Sequence, residues 1–169
     1  MTPEPRPHDW ERPVEIPAAP TLRRILVPFD GSETAERALS WGVLAARNNQ
    51  AELVVVVAFD PPLTVRGRSA SYVEEMKATL EEEAKGLATE AVEALQAAGT
   101  SARGIVTRGD VARAILQTAD DETVDLIVLG RQGLTHEAGG SLDRFRALMS
   151  GGIAEKVSRH ATVPVLVVV

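Results

Sequence analysis

Asp125-Leu126-Ile127-Val128-Leu129-Gly130-Arg131-Gln132-Gly133 is the stretch that sets how the chain folds. Its apolar run shows no polar alternation and reads as a strand buried on both faces of a parallel sheet. Glycines stand at 130 and 133. After seventeen mostly polar or small residues, Leu134–Ser150, Gly151-Gly152-Ile153 opens a helix. Strand, glycine loop and helix start, in that order, are how α/β proteins hold phosphate. Glycine lets backbone approach the ligand, and a helix start offers unpaired N–H groups and a partial positive charge. The pattern alone leaves a plainer alternative open, in which these glycines only make turns.

Outward toward the N-terminus, Asp125 is preceded by Asp120-Asp121-Glu122, which reads as a solvated helix end rather than a cation site. The helix it closes spans about Val111–Ala119, with Asp110 as its N-cap. Ala102–Thr107 is a weak strand broken by Gly104 and suits a sheet edge. Leu53–Phe59 is apolar throughout and reads as a central strand, stopped by Asp60-Pro61-Pro62. A loop to about Ser71 leads to a long helix ending near Ala98, with Tyr72, Met76, Leu80, Ala84, Leu87, Ala91 and Leu95 as its apolar stripe. Ile25–Phe29 is the first strand. Asp30-Gly31-Ser32 ends it, and a helix over about Glu33–Asn48 follows, facing the core with Ala35, Ala38, Leu39, Gly42, Val43 and Ala46. Asp30 with Glu33 three residues on has the spacing of a capping box. The same carboxylate, at the carboxyl end of a strand, is also placed to face the ligand crevice of an open α/β sheet.

Outward toward the C-terminus, a helix over about Gly151–His160 leads to Val163–Val169, an apolar strand with no helix after it. At a sheet edge its unpaired groups invite another chain, so a homodimer through Pro164–Val169 is expected; pairing only within its own sheet is the alternative. The alternation of strand and helix gives an α/β fold with a parallel sheet.

Residues 1–20 hold six of the ten prolines and read as a flexible tail, leaving 21–169 as one domain. Net charge −6, with no Lys/Arg stripe, argues against a nucleic-acid partner. The absence of cysteine excludes disulfides, thiolate metal sites and cysteine nucleophiles. No apolar run is long enough for a membrane span and no signal peptide is visible, so a cytoplasmic protein without a membrane partner is expected. The chain carries no Walker G-x-x-x-x-G-K-[ST] loop and no G-x-G-x-x-G after its first strand. Gly139-Gly140-Ser141-Leu142-Asp143 misses the nucleophile elbow at its last position. His8, His136 and His160 have no metal-ligand spacing, and no acid–base pair stands out.

Val27-Pro28-Phe29-Asp30-Gly31-Ser32, Arg108-Gly109-Asp110, Gly130-Arg131-Gln132-Gly133, Ala154-Glu155-Lys156-Val157 and the ending Val163-Pro164-Val165-Leu166-Val167-Val168 occur here in a fixed order. With these motifs the chain resembles the universal stress protein family over residues 22–169. The resemblance implies a Rossmann-like fold of the adenine nucleotide alpha hydrolase type. Its open parallel sheet has five strands in order 3-2-1-4-5, helices on both faces, and dimers form through the last strand. Many members bind ATP through G-x2-G-x9-G-[ST]. On this pattern Gly130, Gly133 and Gly151 match the glycines and Gly152 takes the hydroxyl position. Leu129 and Ile153 become apolar neighbours of the ligand. Pro28 and Asp30 fall by the adenosine part, and Ala58 beside the base.

The chain departs from the pattern twice. Its spacer is seventeen residues rather than nine, which by loop-closure entropy costs only about 0.6 kcal/mol. Gly152 replaces the hydroxyl residue; a hydrogen bond to a charged oxygen is worth roughly 1.5–3 kcal/mol, about ten- to a hundredfold in affinity. The resemblance thus implies a dimeric stress-response or regulatory protein that binds ATP, ADP or AMP. Any metal arrives with the phosphates as Mg²⁺, a regulatory protein partner is not identified, and catalysis does not exceed slow ATP hydrolysis. The alternative, from a different class, is a dimeric interaction module of the same fold that binds no nucleotide. The spacer itself, with His136 in its glycine-rich part and Phe145 between Arg144 and Arg146, is expected to form a flap over the crevice; a solvent loop with no role is the alternative.

Overall fold

The computed structural model describes residues 16–61, 69–131 and 152–169. Five strands, β1 (Arg24–Pro28), β2 (Glu52–Phe59), β3 (Ala102–Arg108), β4 (Leu126–Gly130) and β5 (Val165–Val168), alternate with four helices among the described residues. These are α1 (Glu33–Asn49), α2 (Ala70–Ala97), α3 (Val111–Asp121) and α4 (Ile153–His160). All strand pairs are parallel and the order is β3-β2-β1-β4-β5, as the resemblance implies.

The period-two alternation of each strand sorts its side chains between two helical layers. Ile25, Val27, Leu53, Val55 and Val128 face α1 and α2, packing on Ala38, Ala46, Ala91 and Leu95. Leu26, Val54, Val56, Ile127 and Leu129 face α3 and α4, packing on Ala112, Ile115, Ala119 and Val157. Both faces of β1, β2 and β4 are therefore covered, which is why these strands read as unbroken apolar runs. α1 rides unusually close to the sheet: a Cβ on Gly42 would sit 2.8 Å from Val27 Cγ2.

The stripe of α2 differs from the expectation at one end. Val73 is buried and Tyr72 is 39% exposed, so the first turn of the helix, which starts at Ala70, buries Val73 in place of Tyr72. Leu80, Ala84, Ala91 and Leu95 are buried as expected, joined by Ala88, while Met76 and Leu87 are partly buried.

The two edges of the sheet differ. β3 carries Arg103, paired with Glu52 at 3.3 Å and with Glu122, and the Gln96 side chain donates to Ala102 O at 2.9 Å. Glu122 thus belongs to an ion pair. Asp120 accepts from the Thr162 hydroxyl at 3.1 Å. This acidic run is a helix end, and among the described residues no acidic or histidine group could hold a metal ion. β5 is shorter than the sequence suggests. Val168 is 7% exposed, but Leu166, Val167 and Val169 are 38%, 36% and 70% exposed at an edge that no described residue covers.

Asp125 ties β4 to β1 from below. Its Oδ2 accepts from the backbone N–H groups of Arg23 (2.6 Å) and Arg24 (3.0 Å). These hydrogen bonds, with those from Arg24 the larger influence, hold its carboxyl below the usual aspartate value. Among the described residues no helix is long and apolar enough to cross a membrane.

Candidate nucleotide-binding cleft

β1 and β4 are neighbours, yet the chain leaves β1 toward β2 and comes back to β4 only after β3. The strand order reverses between them, and at their carboxyl ends the crevice of an open α/β sheet lies at such a point. A cleft of about 580 Å³, counting solvent in its open mouth, occupies it. Pro28, Phe29 and Asp30 form the β1 wall; Leu129, Gly130 and Arg131 form the β4 wall. The floor is apolar, made by Val56 and Ala58 of β2 with Val111 and Ile115 of α3. The first turns of α1 (Ser32, Ala35) and α4 (Ile153, Ala154) complete the rim.

Six of the residues picked from the sequence, Pro28, Asp30, Ala58, Leu129, Gly130 and Ile153, come together on this one cleft. Gly152 adjoins it as the N-cap of α4 without lining it. Gly133, Gly151 and the spacer proposed as a flap, with His136, Arg144, Phe145 and Arg146, lie outside the described residues.

Asp30 does not cap α1. Gly31, at φ 77°, turns the chain after the strand, so Ser32 reaches the N-cap position with extended backbone. Ser32 Oγ accepts from Ala35 N–H at 3.1 Å. Asp30 Oδ1 instead accepts from Ser32 N–H at 3.0 Å, holding the carboxylate at the cleft rim. The capping-box reading is thereby corrected; the crevice-facing one agrees with the geometry.

Gly130 is required by packing. A Cβ there would lie 2.9 Å from both the carbonyl carbon and the oxygen of Thr34, in the first turn of α1. Backbone cannot yield as a side-chain tip can, so neither a turn nor a ligand is needed to explain this glycine. Gly152 is different. At φ 96° it occupies a conformation L side chains rarely adopt, and nothing among the described residues lies within 4 Å of its Cβ position. Among the described residues no side chain caps α4; Gly152 O accepts from Lys156 N–H at 2.8 Å, and the N-cap position itself carries no hydroxyl.

Sequence reasoning missed Phe29, Ser32, Ala35, Val56, Val111, Ile115, Arg131 and Ala154. Some of them were within reach. Val56 shares a sheet face with Ala58 by strand period, and Val111 and Ile115 are one helical turn apart directly after the Asp110 cap, whose Oδ1 accepts from Arg113 N–H at 2.9 Å.

An open parallel sheet with helices on both faces, and an apolar cleft at its reversal point, defines a Rossmann-like fold. The model of the universal stress protein family matches residues 21–169, and the chain belongs to that family. It is similar to universal stress protein MJ0577 of Methanocaldococcus jannaschii, 32% identical over 161 residues that cover 86% of this chain and 94% of the relative. A Thermus aquaticus universal stress protein is 35% identical over 148 residues, covering 87% and 98%. The solved structure of MJ0577 matches with TM-score 0.69 at 28% identity, covering 88% of this chain and 96% of its own. A universal stress protein solved in complex with cAMP matches with TM-score 0.62 at 25% identity, covering 89% and 99%.

Proposed function

We propose that the chain binds an adenine nucleotide in the cleft between β1 and β4 and acts as a dimeric stress-response or regulatory protein. The observation that carries this reading is the gathering of Pro28, Asp30, Ala58, Leu129, Gly130 and Ile153 on one cleft. The apolar floor suits the flat face of a base. The Asp30 carboxylate suits ribose hydroxyls, which donate to it. The start of α4, without a side-chain cap among the described residues, suits phosphate. The relative solved with cAMP supports the same class of ligand. Mg²⁺ accompanies the phosphates where it is present, and the reading is of binding and signalling rather than turnover.

Dimerisation follows from the uncovered β5 edge, where Leu166, Val167 and Val169 are exposed. The absence of a hydroxyl at Gly152 favours a second reading, a dimeric interaction module that binds no nucleotide. Calorimetric titration with ATP, ADP and AMP, together with extraction of any nucleotide carried by the purified protein, separates the two. Binding of any of the three supports the first reading; no binding and no carried nucleotide leaves the second.

A further inference from the structure

We propose that Arg131 is the residue through which the cleft selects a phosphate-bearing nucleotide over the bare nucleoside. The proposal rests on the nucleotide reading above and adds to it a residue and a selectivity.

The polar groups on the cleft are few. Asp30 and Ser32 are engaged with the turn into α1: Asp30 Oδ1 takes Ser32 N–H, and Ser32 Oγ takes Ala35 N–H and lies 3.3 Å from Thr34 Oγ1. Arg131 is the one cation among the described lining residues. Its main chain is fixed: Arg131 N–H donates to Val168 O at 2.7 Å, one residue beyond the last β4–β5 pair, Gly130 with Val168. Arg131 is an exposed residue of the cleft lining and forms no ion pair with any described residue. A guanidinium on a held backbone, on a cavity lining and without a carboxylate partner among the described residues, presents a planar fork of donors suited to phosphate.

Charge decides which wall takes the anion. Asp30 repels phosphate from the β1 side, and the net charge of −6 opposes any anion at long range. Salt screens that long-range field beyond about 10 Å at 0.1 M, so local groups dominate. On the β4 side these are Arg131 and the adjacent start of α4, whose N-cap Gly152 offers no side-chain oxygen to compete with the ligand. Arg131 thus supplies the charge-assisted contact that Gly152 does not.

The test is calorimetric titration of the full chain with adenosine, AMP and ATP, for the parent, Arg131→Met and Arg131→Lys. The parent should bind AMP and ATP more tightly than adenosine. Arg131→Met should weaken AMP and ATP by about ten- to a hundredfold, the range for one or two charge-assisted hydrogen bonds, and leave adenosine within about twofold. Arg131→Lys should recover part of the loss. Unchanged melting curves would show that the fold is intact, as expected for an exposed side chain whose backbone bond survives either substitution. Equal loss for adenosine and ATP, or no loss for ATP in Arg131→Met, overturns the assignment. A parent that binds all three alike overturns it too and leaves nucleotide binding standing. A parent that binds none of them overturns the nucleotide reading itself.

Discussion

The α-carbon of Gly130 sits against the backbone of Thr34 so closely that a Cβ would fall 2.9 Å from Thr34 C and O. The end of β4 and the start of α1 touch main chain to main chain. Gly130→Val should therefore lower stability by about 1–3 kcal/mol or more, as over-packing against rigid structure does. Denaturant and thermal melting check this. Loss of nucleotide affinity in this variant would follow from the displaced helix whether or not phosphate touches Gly130. A variant with unchanged melting would show that α1 can step back.

Ser32, and not Asp30, closes the head of α1. Ser32→Ala should cost about 1 kcal/mol of stability, the usual value of an N-cap. Asp30→Asn keeps an oxygen that can accept from Ser32 N–H, so it should melt nearly as the parent does and bind adenine nucleotide more weakly. Melting and titration of both variants make the comparison. Normal binding by Asp30→Asn would remove the carboxylate from the site.

The β5 edge offers Val167 at 36% exposure, whereas Val168 is a core residue at 7%. Val167→Lys is accordingly the probe of a dimer, since Val168→Lys would strip the core instead. Sedimentation at tens of micromolar should find the parent dimeric and Val167→Lys with at least about tenfold weaker association, because a lysine there must be buried against the partner. A monomeric parent removes the dimer.

Asp125 is held below the ordinary aspartate pKa by the backbone N–H groups of Arg24 and Arg23. A group with a depressed folded pKa binds fewer protons folded than unfolded. Its contribution is complete above the unfolded aspartate value and is lost as pH falls through the lower folded one. Asp125→Asn should cost about 1 kcal/mol near neutrality, at the low end for hydrogen bonds to a charged group because the carboxylate is largely open to solvent. The difference from the parent should shrink on acidification into that window. Urea melts at a series of pH values measure it, and a difference independent of pH would point to a merely geometric effect.

Much of the fold was legible because β1, β2 and β4 are covered on both faces and so leave uninterrupted apolar runs, while Gly104 marked β3 as an edge. What was not legible depended on contacts between distant parts of the chain. Gly31 and Ser32 share the turn after β1 with Asp30, and spacing to Glu33 alone favoured the wrong cap. That packing also demands Gly130 was hidden because its steric neighbour, Thr34, lies 96 positions earlier. Arg131 sat in plain view between two glycines, but its place on a cavity wall is set by the bond from its N–H to Val168 at the carboxyl end of the β4–β5 pairing.

The unlike edges of the sheet bear on how large an assembly can grow. β3 is held by charge, with Arg103 tied to Glu52 and Glu122, while β5 is bare and apolar. A subunit with two sticky edges would propagate into a filament. One with a single sticky edge, meeting its own copy about a two-fold axis, consumes that edge in the first encounter and has nothing left to extend. In the dimer proposed above, this asymmetry would set a stopping rule, with the ion pairs of Arg103 as part of it. Neutralising them would then remove a barrier to open-ended growth, even though the cleft lies at a different end of the molecule.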